Sequence, residues 1–217
     1  MYRIGKEEIE AVTRVINSKN LFKCNDACQE TYHCECEMRE MFNVENALVM
    51  TSGKAALISA LVGLGIGPGD EVIVPAYTYM ASAVAVTAVG AIPVIAEVDD
   101  TLTIDVEDIE KKISKYTKAI IPVHIQGFPC NMDAIMDCAK KHNLKVVEDA
   151  CQADGGSYKG KRLATIGDAG AFSFNQFKII STGEGGALLT NDRKVFERAL
   201  IYHDSSAVSY FGDQLSE

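Results

Sequence analysis

Apolar side chains at Ile9, Val12, Val15 and Ile16 form one stripe of a helix over residues 6–18, and a second helix is predicted through residues 26–41. Short, almost wholly apolar runs then alternate with helical patterns. Ala47-Leu48-Val49-Met50 predicts a strand, after which Thr51-Ser52-Gly53 turns into a helix carrying Ala55, Ala56, Leu57, Ala60, Leu61 and Leu64. Gly65, Gly67, Pro68 and Gly69 stop that helix. Strands are predicted at 71–75, 93–98, 118–124 and 145–148, with helices at 80–89, 105–113 and 131–142 between them. Phe172-Ser173-Phe174 and residues 186–190 add two more strands before a helix over 192–202.

Strands this apolar are buried on both faces. The alternation therefore predicts an α/β fold, a three-layer, mostly parallel sheet flanked by helices. It divides the chain into an N-terminal helical segment (1–45), a large domain (46–204) and a polar stretch that begins a connector (205–217). In open sheets of this kind ligands bind beyond the carboxyl ends of the strands. The residues predicted there are Thr51 to Lys54, Tyr77-Thr78-Tyr79, His124 to Gly127, Asp149 to Gln152 and Ser173 to Lys178.

Composition narrows the partners. The 217 residues include 21 Lys and Arg against 30 Asp and Glu, a net charge of −9 with histidines neutral. With no dense basic run, that balance offers no footprint for nucleic acid. The long apolar stretch 81–98 is broken by Ser82, Thr87, Gly90, Pro93 and Glu97 and makes a poor membrane span. No apolar signal region opens the chain, so a cytoplasmic location is expected, with the seven cysteines as reduced thiols. Cys24, Cys28, Cys34 and Cys36, with His33 among them, lack paired C-x2-C knuckles, and a helix scatters Cys34 and Cys36 to different faces. Structural thiols, and no metal site, are expected.

Three places carry candidate chemistry. Thr51-Ser52-Gly53-Lys54 sets a glycine at a strand-to-helix bend, where backbone N–H groups beside a serine suit a phosphate; a helix simply capped by Ser52 or Thr51 explains the same residues. The P-loop and dinucleotide fingerprints are absent, which argues against a nucleotide-binding module. Asp149 ends an apolar strand, where a carboxylate either caps a helix or holds a heterocyclic ring nitrogen protonated. Its neighbour Glu148 faces the other way by strand alternation. Lys178 sits between an aromatic-rich run and Gly183-Glu184-Gly185-Gly186. A surface charge is the ordinary reading, whereas a partly desolvated lysine can form a Schiff base with an aldehyde. A phosphate cradle, a ring-nitrogen acid and such a lysine are together the requirements of pyridoxal phosphate chemistry. Glu184 is expected to shape its loop or an oligomer contact, and His124 to be structural. His33, His142 and His203 have no constellation around them.

These residues resemble the DegT/DnrJ/EryC1/StrS aminotransferases. The likeness runs from Ile4-Gly5-Lys6-Glu7-Glu8-Ile9 and Thr51-Ser52-Gly53-Lys54-Ala55-Ala56-Leu57 through Gly67-Pro68-Gly69-Asp70-Glu71-Val72-Ile73-Val74-Pro75 and Ile121-Pro122-Val123-His124. It continues through Glu148-Asp149-Ala150, Gly167-Asp168-Ala169-Gly170, Phe172-Ser173-Phe174 and Lys178. The resemblance implies the large domain of the fold-type I pyridoxal phosphate enzymes. In it Lys178 would bind the cofactor aldehyde and shuttle the proton between substrate carbon and cofactor. Asp149 would pair with the pyridine nitrogen, Gln152 with the ring hydroxyl, and Tyr79 would stack on the ring. Ser52, Ser173 and the Gly53 and Lys54 amides would hold the phosphate, although Lys54 stands where the family commonly has threonine. Gln176 would line the substrate side. A dehydratase branch has histidine in place of Lys178 and is disfavoured here.

The resemblance also implies a longer protein. Family members carry a smaller C-terminal domain and share their active sites in a homodimer, a partner asparagine reaching the cofactor phosphate. Gly212-Asp213-Gln214-Leu215-Ser216-Glu217 lacks the Asn-x-Arg core of that segment, so a truncated chain is expected. The implied activity transfers an amino group from glutamate or glutamine to a keto sugar, nucleotide-linked or otherwise activated, in amino-sugar or polysaccharide biosynthesis. A keto-cyclitol or keto-octulosonate acceptor is the close alternative. The alternative of another kind is a non-catalytic piece that pairs with a full-length homologue.

Overall fold

In the computed structural model, which describes residues 4–23, 30–208, 212, 215 and 216, helices and strands alternate as the apolar pattern predicts. Helices α1 (Lys6–Ser18) and α2 (Glu30–Phe42) precede strand β1 (Asn46–Met50). There follow α3 (Gly53–Gly63), β2 (Glu71–Pro75), α4 (Ala81–Ala88), β3 (Ile92–Ala96), α5 (Val106–Lys112), β4 (Thr117–Ile120), α6 (Met132–His142) and β5 (Lys145–Asp149). A hairpin of β6 (Ser157–Tyr158) and β7 (Lys161–Arg162) leads to β8 (Ala169–Ser173), β9 (Gly186–Thr190) and α7 (Arg193–His203). Cys24, Cys28, the start of the predicted 26–41 helix and part of the 205–217 stretch lie outside the described residues.

Seven strands form one sheet in the order β1-β9-β8-β5-β4-β2-β3. Strands β8, β5, β4, β2 and β3 are mutually parallel, β9 is antiparallel to both its neighbours, and β1 therefore runs with the rest. The arrangement brings the carboxyl ends of β1, β2, β4, β5 and β8 to one edge. Side-chain alternation builds the layers. Val72, Val74, Val147 and Leu188 pack against α3, α4 and α7, while Ile73 and Val146 pack against α5 and α6. Phe172 and Leu189 join Met38 and Phe42 of α2 in a third apolar cluster.

Three local departures from the apolar pattern have physical causes. The predicted 118–124 strand stops at Ile120, because Pro122 has no N–H to give to a ladder. Pairing resumes singly beyond it, Asp149 N–H donating to Pro122 O at 2.9 Å and His124 N–H to Asp149 O at 3.0 Å. Strand β8 begins earlier than its aromatic run, in Ala169 and Gly170. Small residues are required there, since a Cβ on Gly170 would lie 2.2 Å from Ala164 O. The β6–β7 hairpin turns on Lys159 (φ 48°) and Gly160 (φ 82°), the two left-handed positions of a tight turn.

Beneath the end of β5 lies a buried polar network. The Glu148 carboxylate accepts the N–H groups of Ala164 (3.0 Å), Ile166 (2.6 Å) and Gly167 (2.8 Å). It also lies 3.0 Å from His124 Nε2. The Cys130 N–H donates to His124 Nδ1 at 3.1 Å, so that nitrogen carries no proton and Nε2 donates to Glu148. His124 is thus structural, as expected. Glu148→Gln, which leaves buried donors facing an amide, should destabilise the fold by about 3 kcal/mol in urea unfolding at neutral pH.

Near the chain's end, Glu197 of α7 accepts from Ser216 Oγ (2.6 Å), Ser216 N (2.9 Å) and Arg193 Nε (2.6 Å). The Ser216 hydroxyl, then its N–H and Arg193, hold this carboxyl down to about 2, below its ordinary 4.5. Such a group stabilises the fold above 4.5, and the contribution is lost as pH falls through about 2. Glu197→Gln should therefore lower the urea midpoint fully at pH 7, the gap from the unsubstituted protein closing as the acid limb is descended.

Candidate active site

At the carboxyl edge of the sheet a cavity of about 530 Å³ opens between the start of α3, the turn before α4, the end of β5 and the loop after β8. Ser52, Gly53, Lys54, Tyr79, Asp149, Gln152, Ser173 and Lys178 all line it. Residues from four separate stretches of sequence are brought together here because their strands end side by side.

One wall is the N-terminus of α3. Ser52 is its N-cap, its hydroxyl accepting from Ala55 N at 3.1 Å. The capped-helix and phosphate-cradle readings are compatible, because capping uses the Ala55 N–H while those of Gly53 and Lys54 have no acceptor among the described residues. Gly53 is required by packing: a Cβ there would lie 2.6 Å from Cys151 Sγ and 2.7 Å from Ser173 Cβ. Ser173 is buried beside it, and Lys54 is exposed at the rim.

The floor carries the acid. Asp149 is 5% exposed, with Oδ2 accepting from Ser82 Oγ at 2.7 Å and Oδ1 from Cys151 N at 3.1 Å. Thr78 Oγ1 lies 2.8 Å from the same Ser82 hydroxyl and extends the chain toward the cavity mouth. Burial, then the Asp149 carboxylate, push the Cys151 thiol well above its ordinary value, so it stays protonated against the acid. Gln152 spends its Oε1 on the N–H of Gln126 (3.0 Å), a left-handed residue at φ 48°, which leaves its Nε2 as the donor for a ligand.

Lys178 is half-buried on the loop between β8 and β9. Backbone bonds pin that loop: Phe174 N to Gly185 O (2.8 Å), Gln176 N to Gly183 O (2.9 Å) and Lys178 N to Asn175 O (2.9 Å). Asn175 Nδ2 donates to Glu184 at 2.9 Å, so Glu184 shapes the loop as expected. Gln176, expected on the substrate side, is exposed and lies outside the lining of this cavity.

Several residues at the site have no local sequence signal. Ser82 is fully buried in the first turn of α4 and meets Asp149 only across 67 positions of chain. Asp154 is another: one oxygen, Oδ1, is buried without a hydrogen-bond partner, while Oδ2 accepts from Ile180 N at 3.4 Å. Burial pushes this carboxyl up to about 6, against the pull of the Ile180 N–H and of Lys178. His142, expected to stand apart, lies 2.8 Å from Glu110 and close to Cys138. Of the N-terminal thiols that are described, Cys34 is exposed and Cys36 accepts from Arg39 at 3.0 Å.

The donor set fits pyridoxal 5′-phosphate: free helix-start N–H groups with two serines at one end, a buried carboxylate on the floor, and an amine on the facing loop. The profile of the DegT/DnrJ/EryC1/StrS aminotransferase family matches residues 2–216. GDP-perosamine synthase of Caulobacter vibrioides is 51% identical over 150 residues, 69% of this chain and 40% of that protein. The dTDP-3-amino-3,4,6-trideoxy-alpha-D-glucose transaminase of Streptomyces venezuelae is 46% identical over 166 residues, 76% of this chain and 44% of its own. The crystal structure of an aminotransferase from Psychrobacter cryohalolentis superposes with a TM-score of 0.91 at 40% identity, covering 99% of this chain and 55% of that one. The chain thus spans about half the length of the curated relatives it matches. The order of the matching motifs, their convergence on one cavity and the likeness over nearly every residue lead to one assignment: the chain belongs to the DegT/DnrJ/EryC1/StrS aminotransferase family.

Proposed function

We propose that this chain supplies the cofactor-binding part of an aminotransferase that moves an amino group from glutamate or glutamine to a keto sugar carried on a nucleotide. The observation that supports this most directly is the joint presence of Lys178 and Asp149 in the lining of a single cavity. The acceptor class rests on two relatives, whose names specify a GDP-linked and a dTDP-linked sugar.

Pyridoxal phosphate, the cofactor of the family, supplies an aldehyde and an electron-withdrawing ring that makes the α-proton of an amino acid removable. The residues divide the remaining work. Gly53 and Lys54 N–H, Ser52 and Ser173 hold the phosphate, and the Lys54 ammonium adds a cation where the family commonly has a hydroxyl. Asp149, oriented by Ser82 and the Cys151 N–H, would accept the hydrogen bond of the ring N–H and keep that nitrogen protonated. Gln152 Nε2 would donate to the ring oxygen, and Tyr79 would be the aromatic side chain that stacks on the ring. Lys178 would hold the cofactor through its aldehyde and, as the amine nearest the reacting carbons, would be the base that moves the proton between them.

Around the cavity mouth, Phe177 (88% exposed), Met80 (68%), Ile179 (67%) and Tyr79 (66%) present large apolar side chains to solvent. That surface supports a homodimer whose partner closes the site. In sedimentation, Ile179→Asp should shift the chain toward the mass of a single copy, whereas an unchanged mass would count against this interface.

Two measurements test the active-site reading. Borohydride reduction of the chain with pyridoxal phosphate should fix the label on the peptide that carries Lys178, and Lys178→Ala should abolish it. A label on another lysine, or none, overturns the assignment. Asp149→Asn should weaken pyridoxal phosphate binding by about 10- to 100-fold, the worth of one hydrogen bond to a charged group.

A further inference from the structure

On the sheet face away from α3, helices α5 and α6 bring together three side chains that the proposed activity leaves unused. Cys138 and His142, four residues apart, share one side of α6, and Glu110 projects toward them from α5. The Cys138 sulfur, a His142 ring nitrogen and a Glu110 oxygen lie within 4.8 Å of one another. Glu110 Oε2 is 2.8 Å from His142 Nε2, and both Glu110 oxygens are 3.0 Å from Lys141 Nζ. Cys138 is 4% exposed, whereas Glu110 and His142 are partly open to solvent, so the trio has a buried floor and an accessible side.

We infer that Cys138, His142 and Glu110 bind one divalent cation of the zinc type, which clamps the C-terminal end of α6 to α5. The donor set selects the ion. One thiolate, one imidazole and one carboxylate suit a borderline-soft cation of tetrahedral habit, while calcium and magnesium take oxygen. Three protein ligands leave the fourth position, on the open side, to water. On binding, the S–H bond of Cys138 breaks, its proton passes to solvent and its electron pair forms the sulfur–metal bond. His142 binds through Nε2, and the hydrogen it shared with Glu110 passes through solvent to Nδ1, so the ring stays neutral. The cation replaces the hydrogen between His142 and Glu110, and the thiolate and carboxylate together neutralise its two charges. Lys141 keeps its hold on Glu110 Oε1.

The place of the cluster sets its role. Helix α6 ends where β5 begins, at Lys145, and Asp149 stands at the other end of that strand. Four residue steps separate Lys145 from Asp149, roughly 13 Å, so the cation secures the edge of the sheet opposite the cavity and takes no part in it.

Titrating the full chain with Co²⁺ tests the site. A thiolate-to-cobalt charge-transfer band and intense tetrahedral visible bands should saturate at one equivalent, disappear on adding Zn²⁺, and be accompanied by a higher melting temperature with Zn²⁺. Cys138→Ser and His142→Gln should each weaken Co²⁺ binding by at least about 10- to 100-fold. Cys34→Ser with Cys36→Ser should leave the bands unchanged. His142→Gln alters a partly exposed side chain and guards against misfolding of the Cys138 variant. No charge-transfer band, bands of full strength in His142→Gln, or bands lost with Cys34 and Cys36 would each overturn the inference.

Discussion

The end of β5 sets the geometry of everything around the cavity. Glu148 and Asp149 are consecutive, both carboxylates are buried, and strand alternation sends them to opposite faces. Burying either without donors would cost several kcal/mol, so each calls for its own set of partners. Glu148 gathers three backbone N–H groups from 164–167 and the His124 imidazole. Among the described residues Asp149 accepts from the Ser82 hydroxyl and the Cys151 N–H, one on each oxygen. The first carboxylate is saturated and the second is not, and this difference makes one of them an anchor and the other a site.

The anchor positions the site through the backbone. His124, held between Glu148 and Cys130, donates its own N–H to the Asp149 carbonyl, and Asp149 donates to Pro122. A proline that ends β4 early is thereby compensated by a network that ties the broken strand to its neighbour. Across the cavity the charge pattern reverses. The unpaired N–H groups of α3 and the Lys54 ammonium make one wall positive, against the carboxylate on the floor. Such a polarity matches a ligand that is anionic at one end and proton-bearing at the other.

Much of this was legible in the residues. Strands β2 and β9 have the predicted bounds because apolar runs flanked by Pro and Gly leave little freedom. Ser52, Gly53, Asp149 and Lys178 could be singled out because each sits at a strand end in an ordered set of motifs. What stayed hidden depends on approach in space. Ser82 looks like an interruption in an apolar stretch until α4 is packed over β5. Asp154 is one acid among many until a loop buries one of its oxygens. His142 gains its neighbours only when α5 and α6 lie side by side. The exposure of Gln176 is likewise set by the loop, which turns its backbone inward to Gly183.

The reversed strand explains how a lysine on a loop can be held as firmly as an acid on a strand. If β9 were parallel to β8, Lys178 would ride on a crossover connection of a dozen or more residues, with little to fix its tip. Because β9 is antiparallel, the loop returns directly to the same edge of the sheet and closes on itself through main-chain bonds. Gly186, where it returns, meets the start of α3 so tightly that a Cβ would lie 2.3 Å from Ser52 C. The base of the lysine loop and the start of α3 are therefore one packed unit. A side chain at Gly186 could not be accommodated by moving either part alone, so the spacing between the amine and the helix-start N–H groups follows from the sheet topology and not from the loop's own preferences.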